Sequence, residues 1–281
     1  MRHSSQDYAN METKGIISSA QNPKIKLLLQ LQQKSSERRK HGMFVVEGQR
    51  EVFHCLSAGY EIDSLFYCPQ IADSDALEEF LRLSPSSKCF EINSDIYQKV
   101  AYRGGTEGMI AEVKTRNLTL QDLKLSSSPL IMVLESVEKP GNLGAILRSA
   151  DASGVDAVII CDPLTDLFNP NLIRSSIGAI FTIPTVACSS SDCITFMKEH
   201  GIQILTAQLQ DSSLYYATDM RRPTAIIMGT EATGLTQQWR EAADAHIRIP
   251  MLGRLDSLNV SVSAAILMFE AVRHRSAYIE G

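Results

Sequence analysis

Several familiar signatures are missing from this 281-residue chain, and each absence narrows what it can be. No uninterrupted apolar run approaches the ~20 residues of a membrane-spanning helix, so no membrane partner is expected. The opening residues, MRHSSQDYANMETKG, are polar and hold no apolar signal core, which points to a cytoplasmic protein. The six cysteines, Cys55, Cys68, Cys89, Cys161, Cys188 and Cys193, form no CxxC pair. Most lie in apolar stretches, where free buried thiols fit better than disulfides or zinc. The six histidines are scattered without an HxxxH pair, so no metal is expected. No GxGxxG follows a strand, so the usual dinucleotide-binding fingerprint is absent. Nor is there an excess of positive charge: the formal net charge is −5, which does not advertise nucleic acid.

What is present is ordinary in amount and uneven in placement. Hydrophobic residues make up 44% and charged residues 21%, as in a folded globular protein, and the length allows two domains. Residues 1–116 are neutral, with 15 cationic and 15 acidic residues, so the rest carries the whole negative balance. Within Lys24–Lys40, however, Lys24, Lys26, Lys34, Arg38, Arg39 and Lys40 stand against the single acid Glu37. That run reads either as a solvated helix end or as a phosphate-contacting patch.

Hydrophobic periodicity divides the chain into a disordered tail (1–14), a small α/β domain (15–114), a Ser-ended linker (115–128) and a larger α/β domain (129–281). In the small domain, Asn22-Pro23 starts a helix expected to run to about Lys40. Strands follow at 43–48, 62–68, 88–92 and 109–114, with helices at 49–58, 74–83 and 95–101 between them. The larger domain opens on Leu130–Leu134, a continuous apolar run suited to a strand buried on both faces. Helices are expected at 143–153, 170–177, 191–199 and 236–243. Strands are expected at 155–161, 182–187, 203–207, 224–228 and 245–249. Such alternation implies a parallel sheet covered by helices on both faces, with ligands beyond the carboxyl ends of its strands.

Three stretches at strand-to-helix junctions carry the chemistry. The first is Asn142-Leu-Gly-Ala-Ile-Leu-Arg148, with Gly144 and Arg148 off the apolar stripe of their helix. The second is Met228-Gly-Thr-Glu231-Ala-Thr-Gly234-Leu. The third is Ile249-Pro-Met251-Leu-Gly253, followed by Ser257-Leu258-Asn259-Val-Ser-Val-Ser263 and a long apolar helix to Val272. Ser and Asn favour helix starts, so this last stretch reads either as a capped core helix or as a ligand-facing helix entry.

In this order, the three stretches resemble the motifs of the SpoU family of S-adenosylmethionine-dependent RNA ribose 2′-O-methyltransferases, over roughly 129–275. The stretches at 18–26, 37–42 and 44–50 resemble the small substrate-binding domain that often precedes that catalytic domain. The resemblance implies a C-terminal trefoil knot, which general topology rules would not lead one to expect. It implies that Met228, Gly229, Ile249, Met251 and Leu258 enclose S-adenosylmethionine, with Gly229 and Gly253 allowing close backbone approach. It carries the catalytic role to Arg148, with Asn142, Glu231, Ser257 and Asn259 as partners. A guanidinium is a poor base at neutral pH, so electrostatic work suits Arg148 better than proton abstraction. Lys24, Lys26, Arg38, Arg39, Lys40 and Arg174 become candidate RNA contacts. The implied substrate is ribosomal RNA, with transfer RNA or a catalytically silent RNA-binding role as alternatives. The last helix is apolar nearly all round, which requires more than one covering surface; with the family's habit, this implies a homodimer.

Overall fold

The computed structural model describes residues 13–102, 107–230, 233–254 and 257–276. The chain divides between Thr115 and Arg116 into two compact units.

The first unit is built on a five-stranded sheet in the order β1-β4-β3-β5-β2, with β1 at Thr13–Ile17, β2 at Met43–Glu47, β3 at Ile62–Tyr67, β4 at Lys88–Ile92 and β5 at Met109–Lys114. Strand β1 pairs in parallel with β4, so residues 13 and 14, expected in the tail, belong to a strand; the rest of that expected tail lies outside the described residues. Helix α1, Pro23–Gln33, starts as its sequence dictates: Asn22 Oδ1 accepts from Lys24 N at 2.9 Å and Pro23 occupies the first turn. Its Ile25, Leu28 and Leu31 are buried. The single helix expected to Lys40 is in fact two. Lys34 adopts extended dihedrals (φ −123°, ψ 118°), and α2 follows at Ser35–His41. Arg38 spans the break: its guanidinium turns back to donate to Leu31 O at 2.7 Å and satisfies a carbonyl near the end of α1. The unit also carries α3 (Gln49–Ser57), α4 (Ser74–Leu83) and α5 (Ser94–Val100).

The second unit holds seven parallel strands in the order β10-β12-β9-β11-β6-β7-β8. These are β6 (Leu130–Glu135), β7 (Ala157–Cys161), β8 (Thr185–Cys188), β9 (Gln203–Ala207), β10 (Ser213–Leu214), β11 (Thr224–Met228) and β12 (Ala245–Arg248). Every residue of β6, β7 and β11 is buried, as strands covered on both faces must be. Helices α9 (Ser190–Glu199) and α10 (Gln237–Ala242) contribute Cys193, Phe196, Met197 and Trp239 to a core with Ile131, Val133, Ile159 and Ile227. Helices α6 (Pro140–Ser153) and α11 (Val260–Ser276) pack on each other and on β6, β7 and β11.

Several boundaries differ from expectation for identifiable reasons. Segment 115–128 is no free tether: Leu120 is buried in the second core, and Thr119 and Asp122 form a reciprocal capping box around a 3-10 turn. Helix α6 begins at Pro140 because proline's missing N–H is unneeded in a first turn, so Asn142 sits inside the helix rather than in a loop. The helix expected over 170–177 stops early as α7 (Pro170–Ser175), because Ile177 (φ 54°) and Gly178 (φ 80°) turn left-handed, and a short helix α8 (Ala179–Thr182) follows that was not expected. Consequently β8 starts three residues late. Strand β10, two residues long, was below the length at which alternation registers.

Two features of this packing lead to measurable outcomes. In β5, the Glu112 carboxylate is buried and its Oε1 lacks a hydrogen-bond partner. Burial, and then Asp63, push its carboxyl up to about 7, while Lys24 and Lys88 partly oppose them. A raised acid pKa means that the folded state holds its proton longer than the unfolded chain. Stability therefore falls as pH rises from 4.5 to about 7, and the full penalty is present above that. Glu112→Gln should raise the melting temperature above pH 7 and change it little at pH 4.5; an equal shift at both would contradict this reading. In α6, a Cβ on Gly144 would stand 2.6 Å from the backbone carbonyl carbon of Ser175 in α7 and closer still to its Oγ. Gly144→Ala should destabilise the fold by about 1–3 kcal/mol in denaturant titration. Gly141→Ala, where the added Cβ meets nothing within 4 Å, should be nearly neutral; equal effects would show that the α6–α7 contact is not tight.

Candidate active site

A cleft of about 490 Å³ opens beyond the carboxyl ends of β9, β11 and β12, against the start of α11. This is where ligands bind on parallel sheets. Met228, Gly229, Ile249, Met251 and Leu258 all line it, together with Ser257. The sequence reading missed the end of β9 and the loop after it, Ala207–Gln210, and Arg240 of α10, which line it too. Their only sequence signal was position: Gln208 follows directly on a strand's carboxyl end.

The three motif stretches shape this cleft differently. In the second, a Cβ on Gly229 would meet the backbone of Gly234 and stand 2.6 Å from Leu235 N. The glycine thus lets its own loop fold over itself. Gly234 adopts φ 67°, its N–H donates to Thr230 O at 3.0 Å, and Thr233 N donates to Thr230 Oγ1 at 3.0 Å. Glu231 lies outside the described residues. In the third stretch, a Cβ on Gly253 would meet no protein atom within 4 Å.

Asn259 joins the first stretch to the third. Its Oδ1 accepts from Ser261 N at 2.9 Å and from Ser261 Oγ at 2.6 Å, which caps α11. Its Nδ2 donates to Asn142 Oδ1 at 3.1 Å, in the first turn of α6. One side chain therefore starts the last helix and fixes it to α6. The stretch caps α11, and its residues Leu258, Val260 and Ser263 line the cleft. Arg148 stands exposed further along α6 and is not among the cleft's lining residues. Arg174 is half-buried in α7, which packs on α6.

A further carboxylate escaped the sequence reading. Glu135, at the end of β6, is 2% exposed and accepts from Thr236 N at 2.8 Å and Thr236 Oγ1 at 2.6 Å. Beside it Trp239 Nε1 donates to Ser190 Oγ at 2.9 Å, and Ser190 Oγ donates to Asp162 Oδ2 at 2.6 Å. This network ties the loops after β6 and β7 to the starts of α9 and α10. It fixes the far end of the Gly229–Leu235 loop, since Thr236 follows it directly. Nearby, the thiols of Cys161, Cys188 and Cys193 lie within 4.8 Å of one another. Hydrogen bonds among these thiols, from Cys188 first, hold Cys161 up, and they lower Cys188. Their convergence was invisible in the sequence because three separate elements supply them.

In the first unit, Lys24, Lys26, Arg39 and Lys40 are exposed. Lys24 Nζ lies 4.5 Å from the centroid of the Phe90 ring, a cation–π contact. Arg38 departs from expectation: it is 4% exposed and bound to α1 carbonyls, so its charge serves the helix junction rather than a phosphate.

Known proteins share this arrangement. Residues 129–269 match the SpoU rRNA Methylase family, and residues 22–111 match the MRM3-like substrate binding domain. The chain is 30% identical over 253 residues to RlmP of Bacillus subtilis, a 23S rRNA guanosine 2′-O-methyltransferase, covering 90% of this chain and 97% of that protein. A crystal structure of an RNA 2′-O ribose methyltransferase superimposes with a TM-score of 0.80 at 37% identity, covering 93% of this chain and 99% of the other. An AdoMet-bound rRNA methyltransferase from Sinorhizobium meliloti gives a TM-score of 0.84 at 29% identity, covering 92% and 97%. With its cleft beyond the strand ends and its three motifs in order, the chain belongs to the SpoU rRNA methylase family.

Proposed function

We propose that this protein transfers a methyl group from S-adenosylmethionine to a ribose 2′-hydroxyl of ribosomal RNA. The observation that carries the reading is the Asn259–Asn142 bond, which couples the cleft to the helix that bears Arg148. The cleft suits the cofactor: apolar walls from Met228, Ile249, Met251 and Leu258 would hold adenine, and polar side chains stand beside them. When bound, S-adenosylmethionine supplies an electrophilic methyl group. Arg148, always charged, binds an RNA phosphate and steadies the negative charge that develops on the 2′-oxygen. Asn142 and Asn259 hold α6 and the cleft in register, and Ser257 stands on the lip of the cleft. Glu231 is kept as a candidate partner of Arg148.

Ribosomal RNA is the favoured substrate because RlmP and further relatives named RlmB are 23S rRNA 2′-O-methyltransferases. The exposed cations Lys24, Lys26, Arg39 and Lys40 supply phosphate contacts, with Arg174 as a further candidate. Such a substrate fits a cytoplasmic enzyme, and no described helix is long and apolar enough to cross a membrane. We further propose a homodimer. Val262 and Phe269 on α11 are each 47% exposed and share a stripe with half-buried Ala265, Ile266 and Val272, an apolar surface that a second copy would cover. The trefoil knot is carried over from the family.

Arg148→Ala tests the catalytic assignment. It should remain dimeric and bind S-adenosylmethionine normally in calorimetry, yet lose about a hundredfold or more in methyl transfer; near-normal turnover would remove Arg148 from the mechanism. Reversing charge at Arg39 and Lys40 should flatten the dependence of RNA affinity on salt, by roughly 0.7–0.9 in logarithmic slope per lost phosphate contact. An unchanged slope would return the patch to solvent.

A further inference from the structure

Among the described residues, three buried side-chain atoms have no hydrogen-bond partner: Glu112 Oε1, Gln208 Oε1 and Arg240 Nε. The last two line the same cleft, Gln208 from the loop after β9 and Arg240 from α10. Buried polar atoms are satisfied in the great majority of cases, and each orphan costs stability. Two in one ligand cleft mark groups that a ligand satisfies. The amide of Gln208 is already oriented, because its Nε2 donates to Gln210 O at 2.9 Å and leaves Oε1 as the open acceptor.

The chemistry of the pair selects a ligand group. Arg240 offers a cationic donor, and Gln208 offers a neutral acceptor. The described lining residues include a second arginine, Arg248, and no acid. A donor that carries full charge gains most from an anion. On the cofactor, the adenosine part is neutral, and its only carboxylate is at the amino-acid end, beside an ammonium group. Resting on the reading that the cleft takes S-adenosylmethionine, we propose that Arg240 and Gln208 form the subsite for the cofactor's α-amino-carboxylate, with Arg240 on the carboxylate and Gln208 Oε1 on the ammonium. The pair would then set the affinity for the amino-acid end independently of adenosine recognition. The apolar walls at Met228, Ile249 and Met251 would leave that recognition intact. The sequence motifs omit both residues, because neither lies in the three stretches that carry the family resemblance.

Two ligands that differ at this end give the test. S-Adenosylhomocysteine retains the amino-carboxylate; 5′-methylthioadenosine retains the adenosine and sulfur but lacks it. Calorimetry on the full-length protein should show that Arg240→Met, which keeps most of the apolar stem, weakens S-adenosylhomocysteine binding by ~tenfold or more. Its affinity for 5′-methylthioadenosine should stay within about twofold of wild type, since no lost contact touches that ligand. Gln208→Met should show the same selectivity with a smaller loss. Each variant without ligand should melt no lower than wild type, because an orphaned buried group has been removed. Equal losses for both ligands would overturn the proposal by moving the pair to the adenosine end, and no loss for either would remove the pair from recognition. A wild-type protein that binds neither ligand would overturn the cofactor reading itself, a result distinct from both. Should Arg240→Met fail to fold, the Gln208→Met comparison alone decides: its loss must be confined to S-adenosylhomocysteine.

Discussion

The site depends on one amide, Asn259. Its Oδ1 satisfies N–H and hydroxyl donors at the start of α11, and its Nδ2 reaches Asn142 on α6. A cap of this kind contributes about 1 kcal/mol to a helix. Here the larger consequence is geometric. The residues on either side of Asn259, Leu258 and Val260, line the cleft, so the cap sets where the cleft wall begins. Its other bond sets the distance from that wall to the helix that carries Arg148. Aspartate could cap the helix but could not donate to Asn142, and serine could not do both at this reach.

Two further constraints hold α6 in place from other sides. The lack of a side chain at Gly144 allows α7 to sit against it, and Ser175 Oγ donates to Pro140 O at 2.9 Å across that contact. On the far side of the sheet, buried Glu135 gathers Thr236 at the start of α10. This anchors the end of the Gly229–Leu235 loop, whose own fold requires Gly229 and Gly234. The motif residues thus divide into those that shape backbone and those that line the cleft. Gly144, Gly229, Asn142 and Asn259 belong to the first group. Met228, Ile249, Met251 and Leu258 belong to the second, joined by Gln208 and Arg240.

Much of this was readable in the residues, and the limits follow from physics. Strands such as Leu130–Leu134 and Thr224–Met228 are buried on both faces, and their continuous apolar runs leave little choice of structure. Turns with φ > 0 at non-glycine residues, as at Ile177, carry no sequence mark, so the early end of α7 was missed. Arg38 looked like its neighbours Arg39 and Lys40, because charge alone does not tell a cation in water from one folded onto a helix end. Its burial depends on the break at Lys34, which tertiary packing decides. The cleft's motif residues were identified through family resemblance, and Met228, Gly229, Ile249, Met251 and Leu258 line one cleft. Gln208, Arg240 and Glu135 stand outside those motifs; Gln208 reaches the cleft only through strand order, which places β9 between β11 and β12.

The central claim, methyl transfer to a ribosomal RNA ribose, is tested most directly by mapping 2′-O-methylation at nucleotide resolution. RNA would be taken from cells of the source organism with the gene intact, deleted and restored. The account predicts that a discrete ribosomal ribose loses its methyl group on deletion and regains it when the wild-type gene returns. A ribosomal methylation map unchanged by deletion, with transfer RNA altered instead or no RNA altered at all, would contradict it.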